Sequence, residues 1–206
     1  FVGEPAAVEA AAFAAIAKRA GVPCRVFAGR YGTARHWRRL QQELAGWIAG
    51  LTKPIGLGVL TTAMKRGMLN QREIDEALAV MCELNRAAAG IARDYSVHAC
   101  TDVTGFGLLG HLFEMTRGSR MDVDIYWQQV PLLSGAWELA AAGMVPGGSR
   151  NNLVHVLPHL IFSVDMPEIA RLLLADAQTS GGLLLAVPES EASSLLEKMQ
   201  KVCSSP

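Results

Sequence analysis

The chain has 206 residues, half of them apolar, and its 19 basic and 19 acidic side chains give a formal net charge of zero. This length and composition suffice for one or two domains with an ordinary hydrophobic core. A neutral total argues against nucleic-acid binding, and no apolar run approaches the roughly 20 residues of a membrane-spanning helix. We therefore expect neither a nucleic-acid partner nor a membrane partner.

The cysteines indicate neither a disulfide scaffold nor a zinc site, because they are scattered and form no C-x-x-C pair. The alanine-rich segment 6–17 carries Glu9 and lacks the basic region with which a secretory signal begins. We therefore expect a cytoplasmic protein. The four cysteines are Cys24, Cys82, Cys100 and Cys203.

The first fifty residues differ from the rest in charge, with seven basic against three acidic side chains. Residues 5–19 are strong helix formers and predict a helix that ends before Pro23. In residues 24–50, arginines are interspersed with aromatic side chains. Single-stranded nucleic-acid sites have this pattern, but the neutral chain favours an ordinary solvated segment. The contrast in charge predicts a separate unit over 1–50, a remnant or aberrant piece, followed by an α/β domain over 51–206.

After this segment, predicted helices alternate with short strands and loops. Residues 52–58 predict a loop, and residues 59–65 predict a short helix. Asn70 forms a capping box with Glu73, which predicts the start of a long helix reaching about Asp94.

The second half of the chain continues the alternation. A strand is predicted over 97–100, and a helix with an apolar face runs from Leu108 to Met115 and ends at Gly118. Alternating apolar and acidic residues over 121–126 predict a half-buried strand. The remaining elements are helices over 132–142, 168–174 and 189–202, a strand over 183–187, a glycine-rich turn over 146–152 and a loop over 176–182. This order predicts an α/β fold of three layers, α/β/α, with a mixed sheet flanked by helices.

The segment 101–107, TDVTGFG, combines a strand end, a carboxylate and a helix start. The start of a helix exposes unpaired N–H groups and a positive dipole end, so it favours an anion such as phosphate. Asp102 could then hold Mg²⁺, which takes oxygen ligands and bridges to phosphates. Gly105 lets a phosphate approach the backbone, and Thr104 beside it is the second candidate contact. The alternative is that Asp102 is only a helix cap or a turn residue.

Lys53 is a further candidate for phosphate contact, because a lysine before proline lies in an extended loop; the alternative is a surface lysine. His111 and Glu114 have the i, i+3 spacing of a metal pair, although such a histidine more often contacts a backbone carbonyl. The glycine turns 146–148 and 181–182 allow either phosphate binding or simple tight turns. No nucleophile motif or P-loop is present, so we assign no catalytic residue.

Four segments together resemble one family, the selenophosphate synthetases. They occur in the family's order, and this makes the resemblance much more specific than any single turn. The segments are 51–58 (LTKPIGLG), 98–112 (HACTDVTGFGLLGHL), 145–152 (VPGGSRNN) and 176–187 (DAQTSGGLLLAV).

The resemblance implies the family's reaction, in which ATP, selenide and water give selenophosphate, AMP and phosphate with Mg²⁺. It implies a C-terminal domain of the aminoimidazole ribonucleotide synthetase type within a two-domain, homodimeric protein. The aspartate of the central block is a Mg²⁺ ligand in that family, a role that the resemblance assigns to Asp102.

The sequence also departs from the family pattern. The family's reactive cysteine or selenocysteine and its partner lysine lie in an amino-terminal region that this sequence does not match, and residues 24–50 look foreign to the pattern. Ala177 stands where the family usually has proline. We therefore expect an incomplete synthetase that is inactive alone. The alternatives are a non-catalytic dimerisation or binding module and a sister enzyme such as a thiamine-monophosphate kinase.

Overall fold

The computed structural model describes residues 24–26, 47–119 and 121–203. The expected helix over 5–19 and most of the arginine-rich segment lie outside these residues. The strands are β1 (Cys24–Val26), β2 (Trp47–Leu51), β3 (Ala99–Asp102), β4 (Val123–Ile125), β5 (Leu160–Ile161) and β6 (Leu183–Pro188). The helices are α1 (Leu57–Lys65), α2 (Gln71–Cys82), α3 (Arg86–Ala92), α4 (Gly107–Ser119), α5 (Ala136–Ala141), α6 (Gly147–Val156), α7 (Glu168–Leu174) and α8 (Glu189–Gln200).

The described strands form two sheets of three strands each. Strand β6 lies between β2 and β3 in one sheet, and β1 lies between β4 and β5 in the other; all four of these pairings are antiparallel. A single isolated bridge among the described residues, between Ile55 and Leu132, is parallel. The α/β class is confirmed, but the strands divide between two sheets instead of forming one.

Strand β6 is covered by helices on both faces. Because side chains alternate along a strand, Leu184 faces the cluster that contains Leu109 of α4. Leu185 points to the other face and packs in the cluster that contains Leu195 of α8. Burial on both faces explains the unbroken apolar run at 183–187, and it gives this sheet the expected three layers.

The sheet extends to the amino-terminal side of residue 51. Strand β2 begins at Trp47, which lies opposite Pro188, and continues to Leu51 opposite Leu184. The division of the chain at residue 50 remains a prediction. No helix within the described parts of the chain is long and apolar enough to cross a membrane.

The long helix expected from Asn70 to Asp94 is broken in two. Its start is confirmed, since Asn70 and Glu73 form the capping box. The helix stops at Cys82, however, and Glu83 has an extended backbone. The reason is tertiary, because the ammonium of Lys53 binds the carbonyls of Val80 and Glu83 at this helix end.

Three other predicted elements are wrong in detail. The helix expected from residue 132 begins at Ala136, because Gly135 has a left-handed backbone with a φ of +73°, which does not fit within an α-helix. The glycine-rich turn at 146–152 is the first part of helix α6. The strand expected to be half-buried is fully buried over β4, and Asp124 within it is only 4% exposed.

Candidate functional site

The turn between β3 and α4 rests on the loop that precedes β6, residues 175–182, here called the capping loop. Val103 donates its N–H to the carbonyl of Gly182 at 2.8 Å, and the carbonyl of Thr104 accepts the N–H of Gln178 at 3.0 Å. Gly107 ends the turn with a φ of +69°, and a Cβ there would lie 2.5 Å from the carbonyl oxygen of Ala175. A glycine is therefore required where the turn meets the capping loop.

His111 fixes the middle of this turn. The N–H of Thr104 donates to its Nε2 at 3.0 Å, and the Thr104 hydroxyl lies 3.2 Å from the same nitrogen. Nε2 is therefore unprotonated, in agreement with burial, which lowers the pKa of the imidazole despite the opposing charges of Asp102 and Glu114. The histidine's partner is thus a backbone N–H and not a carbonyl. No cluster of three metal-ligating side chains occurs in the described part of the chain.

Asn152 of helix α6 also holds the turn. Its Nδ2 donates to the carbonyl of Gly105 at 2.7 Å and to that of Ala175 at 3.1 Å. Both amide hydrogens are used, so one side chain joins the turn to the capping loop.

The capping loop also satisfies the start of helix α1, which has Gly56 at its N-cap and no local side-chain cap. Oδ2 of Asp176 accepts the N–H groups of Gly58 at 2.8 Å and Val59 at 3.3 Å. Oε1 of Gln178 accepts the two preceding N–H groups, each at 3.2 Å. All four N–H groups that a helix leaves unpaired at its start are thus bound by residues about 120 positions away.

The Asp176 carboxylate is fully buried beneath the site. Its Oδ1 accepts the hydroxyl of Ser149 at 2.8 Å, and a Cβ at Gly58 would overlap this oxygen. Gln178 donates to Oδ2 through its Nε2 at 3.1 Å, as a fourth hydrogen bond to the carboxylate. Burial raises the pKa of Asp176 to about 6, although these four hydrogen bonds act in the opposite direction. No sequence motif predicts a role for Asp176. The start of α1 has glycines and no residue that could cap it locally, and this is the feature that indicates a distant acceptor.

Lys53 is buried, with only 2% of its surface exposed. Its Nζ donates to the carbonyls of Glu83 at 2.7 Å, Ser180 at 2.8 Å and Val80 at 3.1 Å. Burial lowers the pKa of the ammonium, and the Glu83 charge opposes this. The surface-lysine alternative is therefore wrong. The phosphate-contact interpretation is not supported either, because all three N–H donors are used.

The other glycine turns differ in their surroundings. A Cβ at Gly181 would overlap the carbonyl of Val103, and one at Gly182 would lie 2.5 Å from the nitrogen of Lys53, so these two glycines permit close backbone packing. Gly147 and Gly148 are exposed at the start of α6, with open space where a Cβ would lie.

The fold therefore brings together the four sequence segments noted above. Asp102, Thr104 and Gly105 lie in one turn, and Asn152 and the capping loop hold it. The Lys53 ammonium binds the capping loop instead, at the carbonyl of Ser180. Asp102 itself is exposed at the end of β3.

Comparison with known proteins agrees with this arrangement. The family model of the AIR synthase related protein, C-terminal domain, matches residues 48–204. The chain therefore belongs to this family of AIR synthase related domains.

Individual curated proteins also match the chain. The chain is 47% identical over 151 residues to Selenide, water dikinase of Carboxydothermus hydrogenoformans, a match that covers 73% of this chain and 44% of the relative. It is 49% identical over 149 residues to the enzyme of that name from Cronobacter sakazakii, covering 72% of this chain and 42% of the relative. The chain thus spans less than half the length of these relatives. The resemblance to selenophosphate synthetases is confirmed.

Proposed function

We propose that this chain supplies the C-terminal domain of a selenophosphate synthetase, and that the turn at 102–107 binds the phosphates of Mg-ATP. The observation that carries this proposal is the exposed Asp102 carboxylate, which lies beside a rigidly held turn at the start of a 13-residue helix. Relatives named Selenide, water dikinase support the assignment of the reaction class.

The carboxylate of Asp102 suits a magnesium ion. Among the described residues, no side chain hydrogen-bonds or ion-pairs with it, so its oxygens are available. Mg²⁺ is commonly held by one or two carboxylates together with substrate phosphates, and it retains several waters. The described residues contribute no cluster of further ligands, so phosphates, water and other groups would complete its shell. When bound, the ion would neutralise charge on the phosphates.

Backbone donors of the turn suit the phosphates themselves. Among the described residues, no acceptor lies against the N–H groups of Gly105 and Phe106. A Cβ at Gly105 would meet nothing within 4 Å, so a ligand has room to approach. Two adjacent free N–H groups near the positive end of a helix favour an anion. Thr104 adds a hydroxyl to the same turn, and its O–H would turn from Nε2 of His111 to the phosphate on binding.

The chain's own described residues provide binding and orientation, but no nucleophile. Cys100, whose apolar strand predicts an inert thiol in the core, is instead exposed. Partial burial and, to a lesser extent, the charge of Asp102 raise the pKa of its thiol, which disfavours the reactive thiolate. We therefore propose that turnover of ATP, selenide and water requires groups outside the described residues. The proposal includes a homodimer located in the cytoplasm.

Thermal unfolding with and without Mg-ATP tests the proposal. A ligand that binds only the folded state must stabilise it, so the Tm of the wild-type chain should rise by several degrees. Asp102→Asn should lose the Mg²⁺-dependent part of this rise. Asp165→Asn is the matched control, because Asp165 is also exposed but lies far along the chain from the turn. An unchanged wild-type Tm would instead favour a non-catalytic binding module.

A further inference from the structure

Asn152 holds the 105–106 peptide, which makes no other hydrogen bond to the described residues. The preceding residue, Thr104, is held at its N–H by His111 and at its carbonyl by the backbone of Gln178. The carbonyl of Gly105, by contrast, has Asn152 as its only hydrogen-bond donor among the described residues. Gly105 and Gly107 both lack a Cβ, but Gly107 packs closely against Ala175, whereas Gly105 has open space around it and keeps its backbone freedom. Its peptide would rotate most readily if it were released.

The direction of the Gly105 carbonyl determines the direction of the next N–H. A peptide unit is planar, and no described peptide bond is cis, so the C=O of Gly105 and the N–H of Phe106 point in opposite directions. Asn152 pulls the carbonyl toward helix α6. The Phe106 N–H is thereby held on the opposite side of the peptide, away from Asn152.

The same amide ties this peptide to the capping loop. Its second hydrogen bond, to the carbonyl of Ala175, connects helix α6 to the loop that Gly107 packs against. The orientation of the 105–106 peptide is therefore fixed by contacts with helix α6 and the capping loop, and not by the backbone preference of Gly105 alone. A donor held in place before the ligand arrives costs little reorganisation on binding.

We propose that Asn152 is a positioning residue for phosphate binding, acting through the Gly105–Phe106 peptide. This inference rests on the proposed function of the turn. Asn152 does not touch the phosphate; it orients the Phe106 N–H that does. The ligand class is a metal-bound di- or triphosphate.

Two variants and one control test this role. Asn152→Ala removes the amide, and Asn152→Leu keeps the side-chain size but has no donor, so it serves where alanine impairs folding. Asn151→Ala is the control, because Asn151 is an exposed neighbour on the same helix and its side chain makes no hydrogen bond to a described residue. The probes are Mg-ATP and Mg-pyrophosphate, titrated by calorimetry. The amide signals of Gly105 and Phe106 are followed by NMR.

We expect each Asn152 variant to bind both probes about tenfold more weakly, the size expected for weakening one hydrogen bond to a charged group. The Phe106 amide signal should move in the ligand-free variants, whereas Asn151→Ala should match the wild type in both respects. Unchanged affinity in the Asn152 variants would overturn the proposal, whether or not the Phe106 signal moves.

The binding experiment gives a different result if the proposed function of the turn is itself wrong. In that case the wild-type chain itself binds neither Mg-ATP nor Mg-pyrophosphate. A wild-type chain that binds the probes, together with Asn152 variants that bind equally well, refutes only the positioning role.

Discussion

Replacing Asp176 with asparagine removes a buried charge while keeping the side-chain size and an oxygen for the start of helix α1. In the folded chain, this carboxylate receives the N–H groups of Gly58 and Val59 and the hydroxyl of Ser149. The Asn oxygen can still accept the two backbone N–H groups. The variant should therefore fold, and its stability should respond differently to pH.

The size of the effect follows from the pKa. Burial raises the pKa of Asp176 from 3.8 to about 6, so the folded state binds a proton more tightly than the unfolded state. Protonation therefore favours folding, and stability falls as the pH rises from about 4 through about 6. At 1.36 kcal/mol per pKa unit, the whole effect is about 3 kcal/mol. About 2 kcal/mol of it falls between pH 4.5 and pH 7.5.

Urea unfolding at pH 4.5, 6.0 and 7.5, followed by tryptophan fluorescence, measures this effect. Subtracting the free energy of unfolding of Asp176→Asn from that of the wild type cancels the titration of the other groups. The difference should become less favourable to the wild type by about 2 kcal/mol across this pH range. Asp165→Asn should show no such trend. A flat difference for Asp176→Asn, or one of opposite sign, would refute the idea that this carboxyl is buried at an energetic cost.

Two further substitutions, at Lys53 and Gly107, test the contacts of these residues with the capping loop. Lys53→Met removes the donor of the Val80, Glu83 and Ser180 carbonyls and should lower the free energy of unfolding by about 2–4 kcal/mol. Lys65→Met at an exposed helix end should change it by less than about 0.5 kcal/mol, so equal losses would contradict the buried role of Lys53. Gly107→Ala combines a positive φ with a clash against Ala175 and should cost at least about 2 kcal/mol in urea unfolding. Gly118→Ala lies in a helix with open space around it and should stabilise by up to about 1 kcal/mol, so a similar result for both glycines would refute this account.

Elements with local signals were predictable from the sequence. Helix α7 has the predicted bounds, Glu168–Leu174, and the polar residues of the loop that follows begin at Asp176. The capping box at Asn70 was also found, since both of its hydrogen bonds join residues three positions apart. The end of helix α2 was missed. It depends on the ammonium of Lys53, about 30 positions earlier in the chain.

The candidate site divides in the same way. The turn containing Asp102 was predicted because a strand end, a carboxylate and two glycines stand together in the sequence. The roles of Asp176 and Lys53 could not be read from their neighbours, because each side chain binds backbone groups that are distant in the chain. A lysine before proline gives no indication of burial. Only the folded chain shows that its ammonium supports the capping loop.

The most direct test of the central claim places a paramagnetic ion at the site. Mn²⁺ takes oxygen ligands as Mg²⁺ does, and it broadens the NMR signals of nearby amides. Titrating Mn²⁺ with excess ATP into the ¹⁵N-labelled chain should first broaden the amides of residues 102–107, and Asp102→Asn should prevent this. If the ion and nucleotide bind but leave these amides sharp, or if Asp102→Asn broadens like the wild type, the assignment of the turn as the Mg-ATP phosphate site is wrong.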